Sequence, residues 1–308
     1  MSDKQKKFAL IGAAGYIAPR HMRAIRDTGN TLVAAFDPSD SVGTIDSYHP
    51  DADFFTEFER FDRHIEKMRH ERGMHLDYVS ICSPNYLHDA HVRFALRVGA
   101  DAICEKPLVL NPWNLDALSN MEKETGRRIY TVLQLRLHPV IQSLRNEIRA
   151  HKGRGRHKIN LTYITPRGKW YLYSWKGVLD KSGGLATNIG IHFFDMLSWI
   201  FGAPNKVEVG VSTPKKASGF LRLEKADVTW TLSIDRNDLP KAPSGTKQVS
   251  SFRSLSMDGR EVEFSEGFTD LHTESYRQIL SGKGFGINDC RTSIQIAHDI
   301  RQAGAELA

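Results

Sequence analysis

The chain has no apolar run of the roughly 20 residues that a membrane-spanning helix needs, and its N-terminal run, FALIGAAG, is short and broken by glycine. Cysteine is scarce as well. Cys82, Cys104 and Cys290 lack C-x-x-C spacing and lie in or beside apolar segments. These absences exclude an integral membrane protein and a disulfide-stabilised scaffold. They predict a soluble cytoplasmic protein with buried thiols in a reducing compartment.

The sequence also lacks internal repeats and low-complexity tracts, and its acidic residues are outnumbered by basic ones, 36 against 42, for a net charge of +6. An excess of positive charge favours anionic partners without naming one. The one dense basic run, HKGRGRHK at 151–158, lacks the interleaved aromatic residues of a single-strand binder. We therefore predict no nucleic-acid partner and interpret the run as a solvated loop between domains.

The periodicity of apolar residues divides the 308 residues into two predicted domains, 1–135 and 136–308. In the first, the apolar runs FALIGA, TLVAAFD, DYVSICSP, DAICEKP and RIYTVLQLR alternate with helical patterns at 18–28, 57–72, 87–98 and 112–125. That alternation predicts an α/β domain with a doubly wound parallel sheet. In the second, strand-like runs dominate after a long apolar helix at about 184–201, and helices at 269–281 and 289–304 close the chain. We expect a largely antiparallel sheet there, with a hairpin turn at Asp258-Gly259.

A glycine pattern follows the first predicted strand, in FALIGAAGYIAPRH. Gly12, Gly15 and Ala18 let a backbone approach a pyrophosphate that rests on the amide groups of a helix N-terminus. The spacing is G-x-x-G-x-x-A rather than G-x-G-x-x-G, and a merely structural turn remains an alternative. The next apolar run ends at Asp37, where a carboxylate can bind both ribose hydroxyls and repel a 2′-phosphate. The pattern therefore favours NAD over NADP.

Further polar side chains follow two later strands of the predicted sheet, where ligands of open parallel sheets collect. Lys106 follows DAIC and would project toward the nicotinamide, with Pro107 fixing the turn and Glu105 bracing the loop or touching the cofactor ribose. An exposed ion pair on a loop is the alternative for Glu105 and Lys106. The residues at the neighbouring strand end are Ser83, Pro84, Asn85 and His88.

A polar pair interrupts the apolar helix ATNIGIHFFDMLSWIFG of the second half. Asn188 and His192 are four residues apart, so they share a helix face, and Asn188 can bind a substrate hydroxyl or orient the imidazole. His192 and Asp195 at i, i+3 lack further ligands at matched spacing. We predict no metal and interpret Asp195 as an acid on the helix face or at the edge of the core.

The glycine turn, EKPL at 105–108 and NIGIHFFDML at 188–197 together resemble the Gfo/Idh/MocA family of NAD(P)-dependent sugar oxidoreductases over nearly the whole chain. More narrowly, GAAGYIAPRHMRAI, SICSPNYLHDAH, LTYITPRGKWYLYSWKG and TDLHTESYRQILSGKGFGI resemble its WlbA/WbpB group of UDP-N-acetylglucosaminuronate 3-dehydrogenases. Many members of the family carry Asp one turn before the histidine, whereas this chain has Asn188. We therefore assign Asn188 to substrate binding.

The resemblance implies an N-terminal Rossmann domain, a C-terminal α+β domain with a large open-faced sheet, and a tightly held NAD. It also implies that Lys106 and His192 are catalytic and flank the hydroxyl that is oxidised. We favour His192 as the base and Lys106 as a hydrogen-bond donor to the same oxygen, while a deprotonated Lys106 remains an alternative base. The expected cofactor-binding residues are Gly12, Ala14, Gly15, Tyr16, Ile17, Asp37, Ser83, Pro84, Asn85, His88, Glu105, Lys106, Gln134 and Trp175. The expected substrate-binding residues are Lys106, Gln134, His138, Arg167, Tyr171, Asn188 and His192.

The substrate prediction depends on TPRGKWYLYSWKG at 165–177, where basic side chains are interleaved with an aromatic run expected at a strand edge. This mixture suits a sugar that carries negative charge, because guanidinium binds carboxylate or phosphate through paired hydrogen bonds. Together with the resemblance, which implies bacterial surface-polysaccharide synthesis, this leads us to expect Arg167 to contact the C6 carboxylate or the diphosphate of a UDP-linked N-acetylated uronic acid whose 3-hydroxyl is oxidised. A dehydrogenase of free sugars or polyols such as myo-inositol, and a non-catalytic NAD-binding sensor, are the alternatives.

Assembly is inferred from the resemblance and from the tendency of open-faced sheets to bury a face by pairing, and cofactor turnover from the resemblance alone. It implies a homotetramer, with a dimer as the alternative, and reoxidation of NADH by 2-oxoglutarate without release. The polar segment 240–254 then either reaches a neighbouring active site or is a mobile loop.

Overall fold

The computed structural model describes residues 5–71, 73–150, 153, 155–241, 249–264 and 270–306. Its strands are β1 (Lys7–Ile11), β2 (Thr31–Phe36), β3 (Asp53–Phe55), β4 (Tyr78–Ile81), β5 (Asp101–Cys104), β6 (Ile129–Thr131), β7 (His157–Ile164), β8 (Pro204–Ser212), β9 (Lys216–Leu223), β10 (Ala226–Ser233), β11 (Phe252–Met257) and β12 (Arg260–Glu261). Its helices are α1 (Ala18–Asp27), α2 (Phe58–Glu71), α3 (His88–Arg97), α4 (Pro112–Thr125), α5 (Pro139–Ala150), α6 (Trp170–Tyr173), α7 (Leu179–Ser182), α8 (Ile191–Phe201), α9 (Leu271–Leu280) and α10 (Ile287–Ala305). None of the described helices is both long and apolar enough to cross a membrane.

The chain forms two compact units. The first contains residues 1–109, 113–134 and 270–290, and the second contains 110–112, 135–269 and 291–308. Helix α9 thus belongs to the first unit, although it follows the second unit's strands in sequence. The three cysteines are free and buried, as predicted.

The first unit is built on a parallel sheet of six strands in the order β3-β2-β1-β4-β5-β6. Its strands are apolar on both faces: Phe8 and Leu10 of β1 face one side, Ala9 and Ile11 face the other, and all four are fully buried. The strand order reverses between β1 and β4, which places a crevice at the carboxyl ends of the central strands. This confirms the predicted Rossmann domain and adds β3, a three-residue strand that the periodicity did not reveal.

The second unit is built on a mixed sheet in the order β12-β11-β7-β10-β9-β8, in which the β7·β10 pair is parallel and the other pairs are antiparallel. Apolar side chains alternate along β10, where Val228, Trp230 and Leu232 are fully buried. Trp230 meets Phe194 edge to face, with ring centroids 5.4 Å apart. The predicted mainly antiparallel sheet is confirmed.

Two local predictions in the second unit need correction. The long helix expected at 184–201 is divided into a π-helical turn, Ala186–Gly190, and α8. The aromatic run expected at a strand edge instead forms the short helix α6, followed by a 3-10 turn at Trp175–Gly177. Both regions carry candidate site residues, and π turns in helices are frequent at functional sites.

Two predicted segments lie partly outside the described residues. In the basic run 151–158, residues 151, 152 and 154 are not described, and His157 and Lys158 begin strand β7. In the polar segment 240–254, residues 242–248 are not described.

Candidate active site

The glycine turn of the first unit connects β1 to α1 and has the geometry that a dinucleotide needs. Gly12 adopts φ +90°, and a Cβ there would lie 2.6 Å from the carbonyl carbon of Cys82 and 2.7 Å from the amide nitrogen of Ser83. The turn therefore packs directly on the backbone after β4, where only glycine fits. Helix α1 then begins at Ala18 with a proline in its first turn, a position that tolerates the missing N–H.

Replacing Gly12 with alanine is expected to weaken NAD binding by at least about a hundredfold, because the turn must move away from Ser83 to admit the methyl group. Isothermal titration with NAD measures this. Gly29→Ala is the matched control, since Gly29 also has positive φ, +76°, but open space around it. That variant is expected to lose about 1 kcal/mol of stability and to keep its NAD affinity. Equal losses of affinity in both variants would show that strain, and not the close approach, controls binding.

Asp37 lies immediately after β2 and is tied to the glycine turn. Its Oδ2 accepts a hydrogen bond from the backbone N–H of Ala14 at 3.0 Å, and its Oδ1 accepts one from the backbone N–H of Ser39 at 2.9 Å. The carboxylate is partly exposed, which leaves acceptor capacity for ribose hydroxyls. The residues of this turn thus fit a dinucleotide with a free 2′-hydroxyl.

The loop after β4 carries the predicted residues Ser83, Pro84, Asn85 and His88. Ser83 Oγ is 2.8 Å from Nδ1 of His91, and both side chains are buried. The ring nitrogens of His88 face the carbonyl oxygens of Pro107 at 2.6 Å and of Ser83 at 2.8 Å. His88 is 1 % exposed, and burial lowers its pKa. The side chain of His88 therefore links the backbone after β4 to the backbone after β5, and its predicted cofactor contact stays a prediction.

Glu105 and Lys106 follow β5, and they differ in environment. Glu105 is buried, and its Oε1 lies 2.9 Å from Nε2 of His21 and 3.1 Å from Nε2 of His272. Lys106 is partly exposed at the same strand end, and its peptide bond to Pro107 is cis. These contacts agree with the predicted bracing role of Glu105, and its contact with a cofactor ribose stays a prediction.

The second unit gathers several of the predicted substrate-binding residues. Tyr171 on α6 is 2 % exposed, and its hydroxyl accepts a hydrogen bond from Nδ2 of Asn188 at 2.6 Å. Burial raises the pKa of Tyr171, against lowering contributions from Asn188 and Arg167. These three residues therefore lie together. Asn188 is in the π-helical turn and His192 is in the first turn of α8, and both are partly exposed.

A cationic group lies beside this cluster. Nζ of Lys176 is 4.3 Å from the ring centroid of Trp175 and 5.7 Å from that of Trp170. Burial and the nearby charge of Arg167 lower the pKa of Lys176. Two positive side chains in one region favour an anionic ligand.

The remaining predicted residues lie around the start of α5 and in the glycine turn. Gln134 begins a 3-10 turn after β6, and His138 is buried just before α5. Between them, Arg136 forms a bidentate ion pair with Asp195, with distances of 2.7 and 2.9 Å, and both side chains are at most 5 % exposed. Asp195 is therefore an acid of the protein core. In the glycine turn, the side chain of Tyr16 is 89 % exposed. The pair Arg136–Asp195 was not anticipated, since the residues are 59 positions apart.

The glycine turn after β1 and the carboxylate of Asp37 after β2 are the features with which nicotinamide-dependent dehydrogenases bind a dinucleotide. Sequence profiles of the Gfo/Idh/MocA oxidoreductases match residues 6–133, as the family's NAD-binding Rossmann fold, and residues 157–233, as its C-terminal alpha/beta domain. The chain belongs to the Gfo/Idh/MocA oxidoreductase family, and its first unit is an NAD-binding domain.

Solved structures give a closer comparison. The WlbA (WbpB) dehydrogenase from Thermus thermophilus, in complex with NAD and alpha-ketoglutarate, is 52 % identical with a TM-score of 0.91. The same dehydrogenase in complex with NAD and UDP-GlcNAcA is 51 % identical with a TM-score of 0.91. Both comparisons cover 96 % of this chain and 95 % of that one.

Curated relatives are more distant. The D-glucoside 3-dehydrogenase of Escherichia coli K12 is 28 % identical over 42 % of this chain, and the inositol 2-dehydrogenase of Rhizobium meliloti is 26 % identical over 64 %. These matches span 36 % and 55 % of the length of those relatives.

Proposed function

We propose that this protein oxidises the 3-hydroxyl of UDP-N-acetylglucosaminuronic acid to a ketone with NAD, in the synthesis of a bacterial surface-polysaccharide sugar such as those of O-antigens. The observation that carries this proposal is the 51 % identity, over 96 % of the chain, to a dehydrogenase solved with NAD and UDP-GlcNAcA. Incubating the protein with NAD and this sugar nucleotide is expected to produce NADH absorbance. Absence of NADH at enzyme concentrations comparable to those of the substrate would contradict the proposal.

Alcohol oxidation requires removal of the hydroxyl proton as hydride leaves the carbon. Bound NAD supplies the hydride acceptor. We assign the base to His192, because imidazole is suited to accepting a proton and this side chain is partly exposed. Lys106 donates a hydrogen bond to the same oxygen and stabilises the alkoxide charge that develops there.

The cationic side chains of Arg167 and Lys176 in the second unit favour an acidic substrate. Arg167 is exposed and lies near Lys176, whose lowered pKa reflects burial and the Arg167 charge. A carboxylate or diphosphate would relieve this repulsion, whereas a neutral polyol would leave it unmatched. Asn188 and Tyr171 supply neutral hydrogen-bonding groups for the sugar hydroxyls. These features favour the uronic acid over the free-polyol alternative, which the similarity to inositol 2-dehydrogenase keeps as the second candidate.

We expect NADP to bind at least about a hundredfold more weakly than NAD. The carboxylate of Asp37 would lie near a 2′-phosphate, and like charges about 4 Å apart repel by about 4 kcal/mol near a protein surface. Fluorescence titration of both cofactors measures the ratio. Asp37→Asn should reduce the ratio of NAD affinity to NADP affinity. Asp40 is an exposed acid three residues later, and Asp40→Asn should leave the ratio unchanged. Equal affinities in the unmodified protein would remove Asp37 from cofactor selection.

Two further assignments belong to this proposal. We propose that 2-oxoglutarate reoxidises the bound NADH, because the Thermus thermophilus dehydrogenase was solved with NAD and alpha-ketoglutarate. We also propose a cytoplasmic homotetramer, because one face of the second unit's sheet remains partly exposed along β7, where Lys158 and Asn160 alternate with buried residues. Light scattering that gives the mass of a monomer would refute the assembly.

A further inference from the structure

A buried chain of hydrogen bonds in the first unit ends at the residue before Lys106. We call it the Glu105 network, and its members are Ser80, Tyr276, His21, Glu105 and His272. The Oγ of Ser80 lies 2.6 Å from the hydroxyl of Tyr276, which lies 2.8 Å from Nδ1 of His21. Glu105 Oε1 then faces Nε2 of His21 at 2.9 Å and Nε2 of His272 at 3.1 Å. All five residues are at most 7 % exposed.

Chemistry restricts the proton positions in this network. An ionised carboxylate only accepts hydrogen bonds, so both imidazoles donate through Nε2. A neutral His21 then accepts at Nδ1, which makes Tyr276 the donor to it and Ser80 the donor to Tyr276. All four contacts are hydrogen bonds in this arrangement, and each donor points toward Glu105. The network therefore fixes one rotamer of the carboxylate.

The charge of Glu105 is held by the same contacts. Burial alone would raise the pKa of Glu105, but the hydrogen bonds from His21 and His272 bring it well below its ordinary value. Burial lowers the pKa of His21, against raising contributions from Glu105. A buried charge costs desolvation energy that an apolar side chain of similar size would avoid. This cost favours a role for Glu105 beyond stability.

The second oxygen of Glu105 connects the network to Lys106. Oε2 accepts a hydrogen bond from the backbone N–H of Lys106 at 3.3 Å. Two histidines thus hold one oxygen of the Glu105 carboxylate. The other oxygen contacts the backbone N–H of Lys106, the residue whose side chain extends from this point.

We propose that His21 and His272 are positioning residues for the oxidation, acting through Glu105 to fix the backbone of Lys106. This inference rests on the proposed role of Lys106. A displacement of about 1 Å in a reacting group can reduce turnover about a hundredfold, so a network that fixes the lysine backbone has a measurable effect on rate.

The same three side chains have the composition of a metal site. One ligand atom each from His21, Glu105 and His272 lie within 4.8 Å of one another. The two imidazole nitrogens already lie at hydrogen-bond distance from one carboxylate oxygen, and the other nitrogen of His21 has a partner in Tyr276. We therefore assign hydrogen bonding to the cluster, and metal analysis of the purified protein tests this assignment.

Removing one hydrogen-bond donor to Glu105 is expected to change the pH dependence of kcat. In His272→Leu, the burial of Glu105 is opposed by fewer hydrogen bonds, so the carboxylate takes up a proton at higher pH. The groups that face it are His21 on α1, Tyr276 on α9, Cys82 and Cys104 at the strand ends, and His88 on α3. Because a protonated Glu105 reorganises its contacts, the acid limb of the kcat profile is expected to move to higher pH.

The decisive experiment compares His272→Leu with His272→Gln, which keeps one N–H donor. We expect kcat to fall about thirtyfold in the leucine variant and less than about fivefold in the glutamine variant, with NAD affinity within about threefold in both. His70→Leu, at an exposed position on α2, is the control and should match the unmodified protein. If the leucine variant does not fold, Glu105→Gln replaces it, and a loss of kcat with retained NAD affinity is expected.

Three results would overturn the proposal: unchanged kcat in the variant that removes the donor or the charge, equal losses in His272→Leu and His272→Gln, or stoichiometric metal in the purified protein. Lys106→Met in the same assay separates this inference from the proposed function. Normal turnover of that variant refutes the role of Lys106 itself, and with it this proposal. Loss of turnover in Lys106→Met with normal His272→Leu refutes only the positioning role.

Discussion

Lys106→Met is expected to lower the rate of NADH formation from UDP-N-acetylglucosaminuronic acid by about a thousandfold or more. Methionine retains an unbranched chain but cannot donate a hydrogen bond to the developing alkoxide, and loss of one such donor costs about a hundredfold to a thousandfold. The further loss of a positive charge beside that oxygen adds to this effect. Single-turnover absorbance measures the rate, and fluorescence titration shows whether NAD affinity stays within about threefold.

The matched control for this change is Lys123→Met, an exposed lysine in the last turn of α4 in the same unit. It is expected to retain the full rate. A Lys106→Met variant that also retains the rate would remove Lys106 from the reaction and leave the buried Glu105 a purely structural role after β5.

The second large effect is expected for His192→Asn, with a rate decrease of about a hundredfold to ten-thousandfold. Asparagine preserves a hydrogen-bonding side chain of similar size, but it does not accept the hydroxyl proton near neutral pH. In the unmodified protein the rate falls at low pH because a protonated imidazole is no longer a base. The variant should lose that dependence, which a pH series of single-turnover rates measures.

The control for His192 is His157→Asn, since His157 lies on β7, contacts Asp258 at 2.7 Å and lies beside Phe201, the last residue of α8, whereas His192 is in its first turn. Its rate and pH profile should be unchanged. If His192→Asn keeps the acid limb while Lys106→Met loses it, the base is Lys106, the alternative that the sequence left open.

The parts of the site that the sequence predicted are those that local patterns determine. Gly12 precedes a helix after a buried strand, and Asp37 and Lys106 each follow an apolar run, so strand ends could be located without a fold. Parallel pairing then brings those ends to one edge. The positions of Gly12, Asp37 and Lys106 at the ends of β1, β2 and β5 agree with this prediction.

The parts that the sequence did not predict depend on contacts between distant residues. His21 and His272 meet Glu105 across 84 and 167 positions, and no local periodicity specifies such a meeting. Helix α9 appeared to be an ordinary closing helix, and its membership of the first unit follows from packing such as that of Tyr276 on Phe8. The π-helical turn before α8 has more residues per turn than an α-helix, so a search for apolar residues at a 3.6-residue period does not detect it.

The measurement that tests the central claim most directly is a single-turnover comparison of three substrates with the NAD-loaded protein. UDP-N-acetylglucosaminuronic acid is expected to react at least about a hundredfold faster than UDP-N-acetylglucosamine or myo-inositol, because only the acid places a C6 carboxylate against the cations of the second unit. Mass spectrometry should show a product lighter by two hydrogens, with the ketone at C3. Equal or faster reaction of UDP-N-acetylglucosamine, whose sugar carries no carboxylate, or of myo-inositol would contradict the account.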